Sequence, residues 1–176
     1  MKRSLQPFGD ANVQLRLITE RDLDTTLAWR NRDSARMWFK TNRTISPEQH
    51  WAWFERYLQR DDDFLFIVEA NGQAVGQAAV YGIDREKHIA EVGRFLIAPE
   101  AAGRGYMSHA CDELLRCCAE TLGLRSVFLE VREENQRAIR LYIRNGFVSE
   151  GTAGGFLRMT RNLAGDLARS TSTVNA

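Results

Sequence analysis

The chain has 176 residues, enough for one domain with a sizeable core, and its content of 44% hydrophobic and 27% charged residues is ordinary for a globular protein. Its net charge of +1 supplies no bulk electrostatic field, so we expect neither nucleic acid nor a membrane as a partner. The N-terminal residues lack the apolar segment of a signal peptide, and no apolar run approaches the length of a membrane span, so a cytoplasmic location is expected.

Three cysteines, Cys111, Cys117 and Cys118, fall within one predicted helix. They cannot form a disulfide framework, and no zinc-ligand partners accompany them, so we expect reduced thiols and no metal site. The run of three aspartates at 61–63 is best interpreted as a solvated turn, because consecutive carboxylates do not converge on one ion.

The N-terminal third begins with residues 1–12, which we expect to form a flexible arm. The alternation in Val13–Leu17 predicts a strand, and Thr19 with Asp22 three residues later predicts the capped start of a helix that runs to about Trp29. Ser46, followed by Pro47, predicts a second helix start, and this helix is apolar nearly all round.

The rest of the chain alternates strand and helix patterns, beginning with a hairpin turn at Asn71-Gly72. Residues 13–163 are expected to form one domain, and residues 164–176 a disordered tail. The predicted strands are 64–68, 73–81, 88–97, 126–131, 146–150 and 155–160, and the predicted helices begin at 107 and 136. We therefore expect an α/β fold with a mixed sheet of about seven strands and about four helices on both of its faces.

A glycine loop lies between the strand that ends at Ile97 and the helix that follows. Backbone N–H groups at a helix start, with the positive end of the helix dipole, form an anion site suited to a pyrophosphate. The alternative is a plain turn before a core helix, since the sequence is neither a Walker loop nor a complete dinucleotide fingerprint. The residues of the loop and first turn are Gly103, Arg104, Gly105, Tyr106 and Met107.

A second motif lies downstream, in Asn135-Gln-Arg-Ala138-Ile-Arg-Leu-Tyr142 followed by Asn145-Gly146-Phe147. With the glycine loop, it resembles the GNAT superfamily of acetyl-CoA-dependent N-acetyltransferases over roughly Val13 to Leu163. In that family the loop Q/R-x-x-G-x-G/A wraps the cofactor pyrophosphate, whereas this chain has Glu100 at the first position. The resemblance implies the GNAT fold, a twisted and mostly antiparallel sheet with splayed central strands.

The reaction that this resemblance implies is direct attack of an acceptor amine on the thioester of acetyl-CoA, without a metal. By the same resemblance, the splayed strand offers its backbone to the cofactor at Leu96, Ile97 and Ala98. Asn135 would bind a cofactor amide, or simply cap a helix. Tyr142 would protonate the departing thiolate, although a phenol at this position also suits the core.

The amine also needs a route for its proton. Glu130 lies among apolar residues of a predicted strand, so we expect a raised pKa that suits a general base. Glu91 is the rival, and a salt bridge to Arg94 or Arg132 is the structural alternative for either carboxylate. Many GNAT enzymes use no single base.

The acceptor is expected to contact the stretch 29–54, which mixes aromatic and basic residues. This stretch resembles GNAT enzymes that acetylate nucleotide-linked amino sugars, of the pseudaminic-acid-pathway type. A guanidinium can clamp a phosphate, and aromatic rings can stack on a base or sugar. The expected substrate-binding residues are Arg30, Asn31, His50, Trp51 and Phe54, with core packing or a salt bridge as the structural alternatives.

Two other functions stay open. One is acetylation of a protein N-terminus or of a small amine such as a polyamine or an antibiotic. The other is a non-catalytic module that binds acetyl-CoA, for which Glu100 is the sequence feature in favour. The sequence does not define the oligomeric state, and a homodimer is compatible with it.

Overall fold

The computed structural model describes residues 2–165 and shows one mixed sheet with helices on both faces. The strands are β1 Phe8–Gly9, β2 Gln14–Leu17, β3 Asp63–Ala70, β4 Gln73–Asp84, β5 Ile89–Ile97, β6 Ser126–Arg132, β7 Val148–Ala153 and β8 Phe156–Asn162. Their order in the sheet is β1-β2-β3-β4-β5-β6-β8-β7, and all neighbours are antiparallel except β5 and β6. The predicted α/β fold with a mixed sheet is confirmed.

Five α-helices accompany the sheet within residues 2–165. They are α1 Leu23–Asn31, α2 Asp33–Arg36, α3 Pro47–Gln59, α4 Tyr106–Glu120 and α5 Gln136–Arg144. The sequence suggested about seven strands and four helices; the additional elements are the two-residue β1 and the single-turn α2, both too short to show a periodic pattern. None of the helices in the described range is long and apolar enough to cross a membrane.

The alternation of side chains along β3 divides the core into two layers. Phe64 and Phe66 belong to the large cluster that includes buried residues of α4 and α5. Leu65 and Ile67 point to the other face and pack with α3 residues, Tyr57 among them. A strand buried on both faces is apolar at successive positions, as this one is.

Residues 2–12 do not form the flexible arm that the sequence suggested. Leu5 is buried, and Phe8 pairs with Leu15 in β2. The ring of Phe8 also packs edge-on against Phe66, with ring centroids 5.1 Å apart. One aromatic contact and a short ladder thus attach the segment to the sheet edge. The tail predicted to be disordered, 164–176, lies outside the described residues except for its first two positions.

The parallel neighbours β5 and β6 separate along their length. They pair only through Ile89↔Ser126, Ala90↔Val127 and Glu91↔Phe128. Beyond Glu91, β5 keeps its antiparallel partner β4 while its other edge is unpaired as far as Ile97. The expected splay of the central strands is therefore present, and it opens a cleft in the middle of the sheet.

Candidate active site

The gap between β5 and β6 widens into a cleft of about 1230 Å³. Both separated strands line it, together with the loop before α4, the first turn of α5 and the segment that follows α1. A cleft of this size accommodates an extended cofactor and leaves room for a second molecule. The site is thus built where the sheet lacks backbone pairing.

The glycine loop forms one wall of this cleft. Gly103 and Gly105 have φ angles of 79° and 80°, a backbone conformation that favours glycine, and a Cβ at either position would point into open space. No backbone hydrogen bond among the described residues uses an amide N–H of 103–107 as donor. Gly103, Gly105, Tyr106 and Met107 line the cleft, whereas the side chain of Arg104 is exposed and lies outside it. Four of the five predicted loop residues therefore face the cleft, with free N–H groups at the positive end of α4.

The three predicted cofactor-contact residues at the end of β5 and just after it direct their backbone groups differently. The N–H of Ala98 donates to the carbonyl of Val75, 2.8 Å away, so Ala98 and Leu96 direct their backbone groups towards β4. Ile97 directs its backbone groups into the gap, where its carbonyl accepts a 2.7 Å hydrogen bond from Arg32 Nη2. The backbone edge available to a ligand is therefore at Ile97.

Tyr142 lies on α5 and lines the cleft, where it is 8% exposed. Its ring packs against Phe95 and Phe147, with centroid distances of 5.6 and 5.8 Å. Burial raises the pKa of the phenol well above its ordinary value, so the hydroxyl stays protonated at neutral pH. The two interpretations of the sequence, proton donor and core aromatic, both describe this position, because the ring is packed while the residue borders the cleft.

Asn135 caps α5. Its Oδ1 accepts a 3.2 Å hydrogen bond from the N–H of Ala138, and the residue also lines the cleft. The helix cap that was the structural alternative for this residue is therefore formed, and it holds the first turn of α5 at the cleft wall.

The two candidate bases have different surroundings. Glu130 is not buried among apolar residues as expected, because strand alternation turns Val131 into the core and Glu130 outwards. There its carboxylate forms an ion pair with Lys40. Both carboxylates line the cleft, but Glu91 is half-buried, and its Oε1 accepts a 2.9 Å hydrogen bond from the hydroxyl of Tyr81.

A second cavity of about 450 Å³ adjoins the cleft, with Arg30, Phe39 and Arg94 lining both volumes. His50 lines this cavity, is buried, and has its Nε2 3.0 Å from the hydroxyl of Thr26. Burial lowers the pKa of His50, which therefore carries a neutral imidazole at pH 7. Two of the five predicted acceptor residues, Arg30 and His50, are thus brought together.

The other three predicted acceptor residues line neither volume. Asn31 uses both ends of its amide on the backbone of Ile45, with two 2.8 Å hydrogen bonds, and so fixes the loop after α2. Phe54 is 5% exposed and packs in the core with Tyr57, while Trp51 is 43% exposed on the far side of α3. The aromatic residue of α3 that does line the cavity is Trp53, because it shares a helical face with His50 and Tyr57.

Sequence reasoning also missed a bulge in β5. Arg94 has a φ of 54°, and the β4–β5 register shifts beside it. Its guanidinium forms two hydrogen bonds of 2.7 and 3.1 Å with Asp63, and lies 4.2 Å from the centroid of the Tyr81 ring. A bulge redirects the backbone that follows it, here the edge that ends at Ile97. An arginine in this backbone conformation has no signal in the sequence.

Comparison with known proteins agrees with this geometry. The family model described as an acetyltransferase (GNAT) domain matches residues 12–148. The chain is 30% identical over 160 residues to an uncharacterised N-acetyltransferase of Methanocaldococcus jannaschii, which covers 85% of this chain and 66% of the relative. It is 28% identical over 98 residues to the spermidine N(1)-acetyltransferase of Escherichia coli strain K12, covering 56% of this chain and 52% of that protein.

Among solved structures, the fold is similar to that of the spermidine N-acetyltransferase of Vibrio cholerae in complex with CoA and spermine. The TM-score is 0.79 at 23% sequence identity, and the match covers 87% of this chain and 96% of that one. At this identity the likeness shows a shared fold. Because the family model spans most of the chain, the protein belongs to the GNAT family of acetyltransferases.

Proposed function

We propose that this protein transfers the acetyl group of acetyl-CoA to the primary amine of a small molecule. The observation that carries the proposal is the continuity of one cleft. It joins the unused amide N–H groups of 103–107 to the unpaired edge at Ile97 and to the buried phenol of Tyr142. The pyrophosphate, the amide-bearing arm and the leaving thiolate of the cofactor need these three environments in this order.

Each part of the reaction has a residue to serve it. The amine nitrogen attacks the thioester carbonyl; the N–C bond forms, the C–S bond breaks, and the thiolate leaves. The Tyr142 hydroxyl gives its proton to the sulfur, and the proton of the amine passes to a base on the cleft wall. Exchange through solvent then moves a proton from that base to the Tyr142 phenolate, which restores the starting protonation state. The edge at Ile97 aligns the amide-bearing arm of the cofactor, because an unpaired strand offers hydrogen bonds to extended amides.

We further propose that Glu91, rather than Glu130, accepts the amine proton. Glu91 lies on the cleft wall where the strands separate, and the Tyr81 hydroxyl donates to it. Glu130 is exposed and its charge is balanced by Lys40. The ion pair with Lys40 occupies the carboxylate of Glu130, whereas Glu91 forms no ion pair within the described residues.

The relatives also bear on the chemical class of the acceptor amine. The relatives named above favour a polyamine, since two of them are spermidine acetyltransferases. No relative named above carries a name that refers to nucleotide-linked amino sugars, so that assignment has only the stretch 29–54 in its support. The comparisons therefore support the polyamine alternative better than the amino-sugar interpretation.

A two-stage assay tests the proposal. The first stage measures whether CoA raises the melting temperature of the protein, since a ligand that binds the native state stabilises it. The second stage measures thiol release from acetyl-CoA with spermidine, a nucleotide-linked amino sugar and a short peptide with a free N-terminus. Stabilisation without turnover of any amine would indicate a binding module. Absence of stabilisation would contradict the proposed cofactor site.

A further inference from the structure

Arg30 lies where the cleft and the second cavity meet, and it lines both. Its Nη2 donates a 2.6 Å hydrogen bond to the carbonyl of Thr41, and its Cζ lies 4.1 Å from the centroid of the Phe39 ring. These two contacts fix the plane of the guanidinium. The orientation of the group is therefore set before any ligand arrives.

The other terminal nitrogen of this guanidinium, Nη1, is buried and has no hydrogen-bond partner within the described part of the chain. Asp33, three residues later in the chain, is paired with Arg36 and not with Arg30. Burial, and then the charge of Arg36, lower the pKa of Arg30. A guanidinium that borders a cavity and has no carboxylate partner among the described residues is a group with which a bound anion can pair.

The described residues that line the second cavity include positively charged side chains but no negatively charged ones. Of the residues that line it, Arg30 and Arg94 are cationic and none is an aspartate or a glutamate. Arg94 is neutralised by Asp63, but Arg30 is not. The cavity therefore has one net positive charge at its junction with the cleft, which repels a ligand that is itself only positive.

The remaining lining suits a flat and partly apolar group. The rings of His50 and Trp53 stack, with centroids 5.2 Å apart and planes 14° from parallel. Ile18 and Leu65 add aliphatic surface, and the volume of about 450 Å³ is that of a small-molecule site. A ligand here would lie against aromatic rings with its charged end at Arg30.

We infer that the acceptor is a small amine that also carries an anionic group, a carboxylate or a phosphate, and that this group pairs with Arg30. Its amine then extends into the cleft towards the thioester, since Arg30 borders both volumes. The inference rests on the proposed function and narrows its substrate class. It argues against the polyamine class that the relatives favour, because spermidine brings positive charge alone.

The test compares amines that differ only in the anion, with affinities measured by calorimetry on the CoA-saturated full chain. Tryptophan is paired with tryptamine for the carboxylate, and phosphoethanolamine with ethanolamine for the phosphate; spermidine is the polycation. At least one anionic member should bind about 10-fold or more tightly than its counterpart, as expected for a charge-assisted hydrogen bond to a half-buried guanidinium. The Arg30→Gln variant should lose this preference, and Arg30→Lys should keep part of it.

The matched control is Arg43→Gln, which removes an equal charge from an exposed position in the same segment and should leave the preference intact. Retention of the preference by Arg30→Gln would overturn the inference, as would equal binding within both pairs or tightest binding by spermidine. Failure of the proposed function is separate: the protein would then not bind CoA, or would release no thiol with any amine.

Discussion

The Tyr142→Phe substitution removes the hydroxyl and keeps the aromatic ring, so it tests the hydroxyl alone. The ring contacts with Phe95 and Phe147, at centroid distances of 5.6 and 5.8 Å, are available to phenylalanine as well. The hydroxyl makes no hydrogen bond with another residue that the structure describes. The free energy of unfolding should therefore change by less than about 1 kcal/mol, because no protein hydrogen bond is lost.

The rate of acetyl transfer, in contrast to the stability, should fall strongly in this variant. A positioned proton donor contributes roughly 10²–10⁴-fold, so kcat should fall by that factor, or about 3–5 kcal/mol of barrier, while both KM values stay nearly constant. The assay is initial-rate thiol release with acetyl-CoA. An acetyl thioester of a more acidic thiol should recover part of the loss, because a better leaving group needs less protonation.

Tyr57→Phe serves as the matched control. Tyr57 is also a buried phenol, but its hydroxyl accepts a 3.2 Å hydrogen bond from the N–H of Leu65, and it lines neither cavity. This variant should lose about 1 kcal/mol of stability and keep its kcat. Normal turnover by Tyr142→Phe would refute its role as donor, and a large loss of stability would identify it as a core residue alone.

Three further variants test other parts of the site. Gly105→Val should raise the KM for acetyl-CoA about 10-fold or more by blocking the amides of the loop, whereas Gly154→Val, at a positive-φ turn away from the cleft, should not. Glu91→Gln should lower kcat by about 10²-fold, and Glu130→Gln by less than about 3-fold; the reverse order would restore Glu130 as the base. Because burial lowers the pKa of His50, the unfolded state binds its proton more readily, so stability falls as pH drops through about 6.5. Denaturant unfolding at pH 7 and pH 5 should show that His50→Gln loses less stability between the two pH values than the unchanged protein. An equal loss of stability would contradict the buried neutral imidazole.

The sequence predicted what depends on local motifs. The glycine loop, the cap at Asn135 and the position of Tyr142 on α5 are encoded within short stretches, where spacing alone places residues on one turn or one face. The splay of β5 from β6 followed from family resemblance. Local periodicity contains no information on where two strands stop pairing, because that depends on contacts distant in sequence.

The parts that sequence analysis misplaced depend on tertiary contacts. Helix α3 is aromatic on several faces, so its sequence could not tell Trp53, which lines the cavity, from the exposed Trp51. The partner of Glu130 is Lys40, 90 positions earlier in the chain. At the bulge, Arg94 has a positive φ angle and pairs with Asp63 of β3. The alternation of residues along a strand reveals neither feature.

We propose that one cleft holds both the cofactor and the amine, and that the acetyl group passes between them there. Incubation of the protein with acetyl-CoA that carries a deuterated acetyl group and with an amine that elicits thiol release, followed by mass spectrometry of the products, tests this directly. A deuterated acetyl amide on the acceptor nitrogen and free CoA are expected in a one-to-one ratio. Labelled acetate with an unmodified amine would contradict it, because that result would show hydrolysis of the thioester instead of transfer.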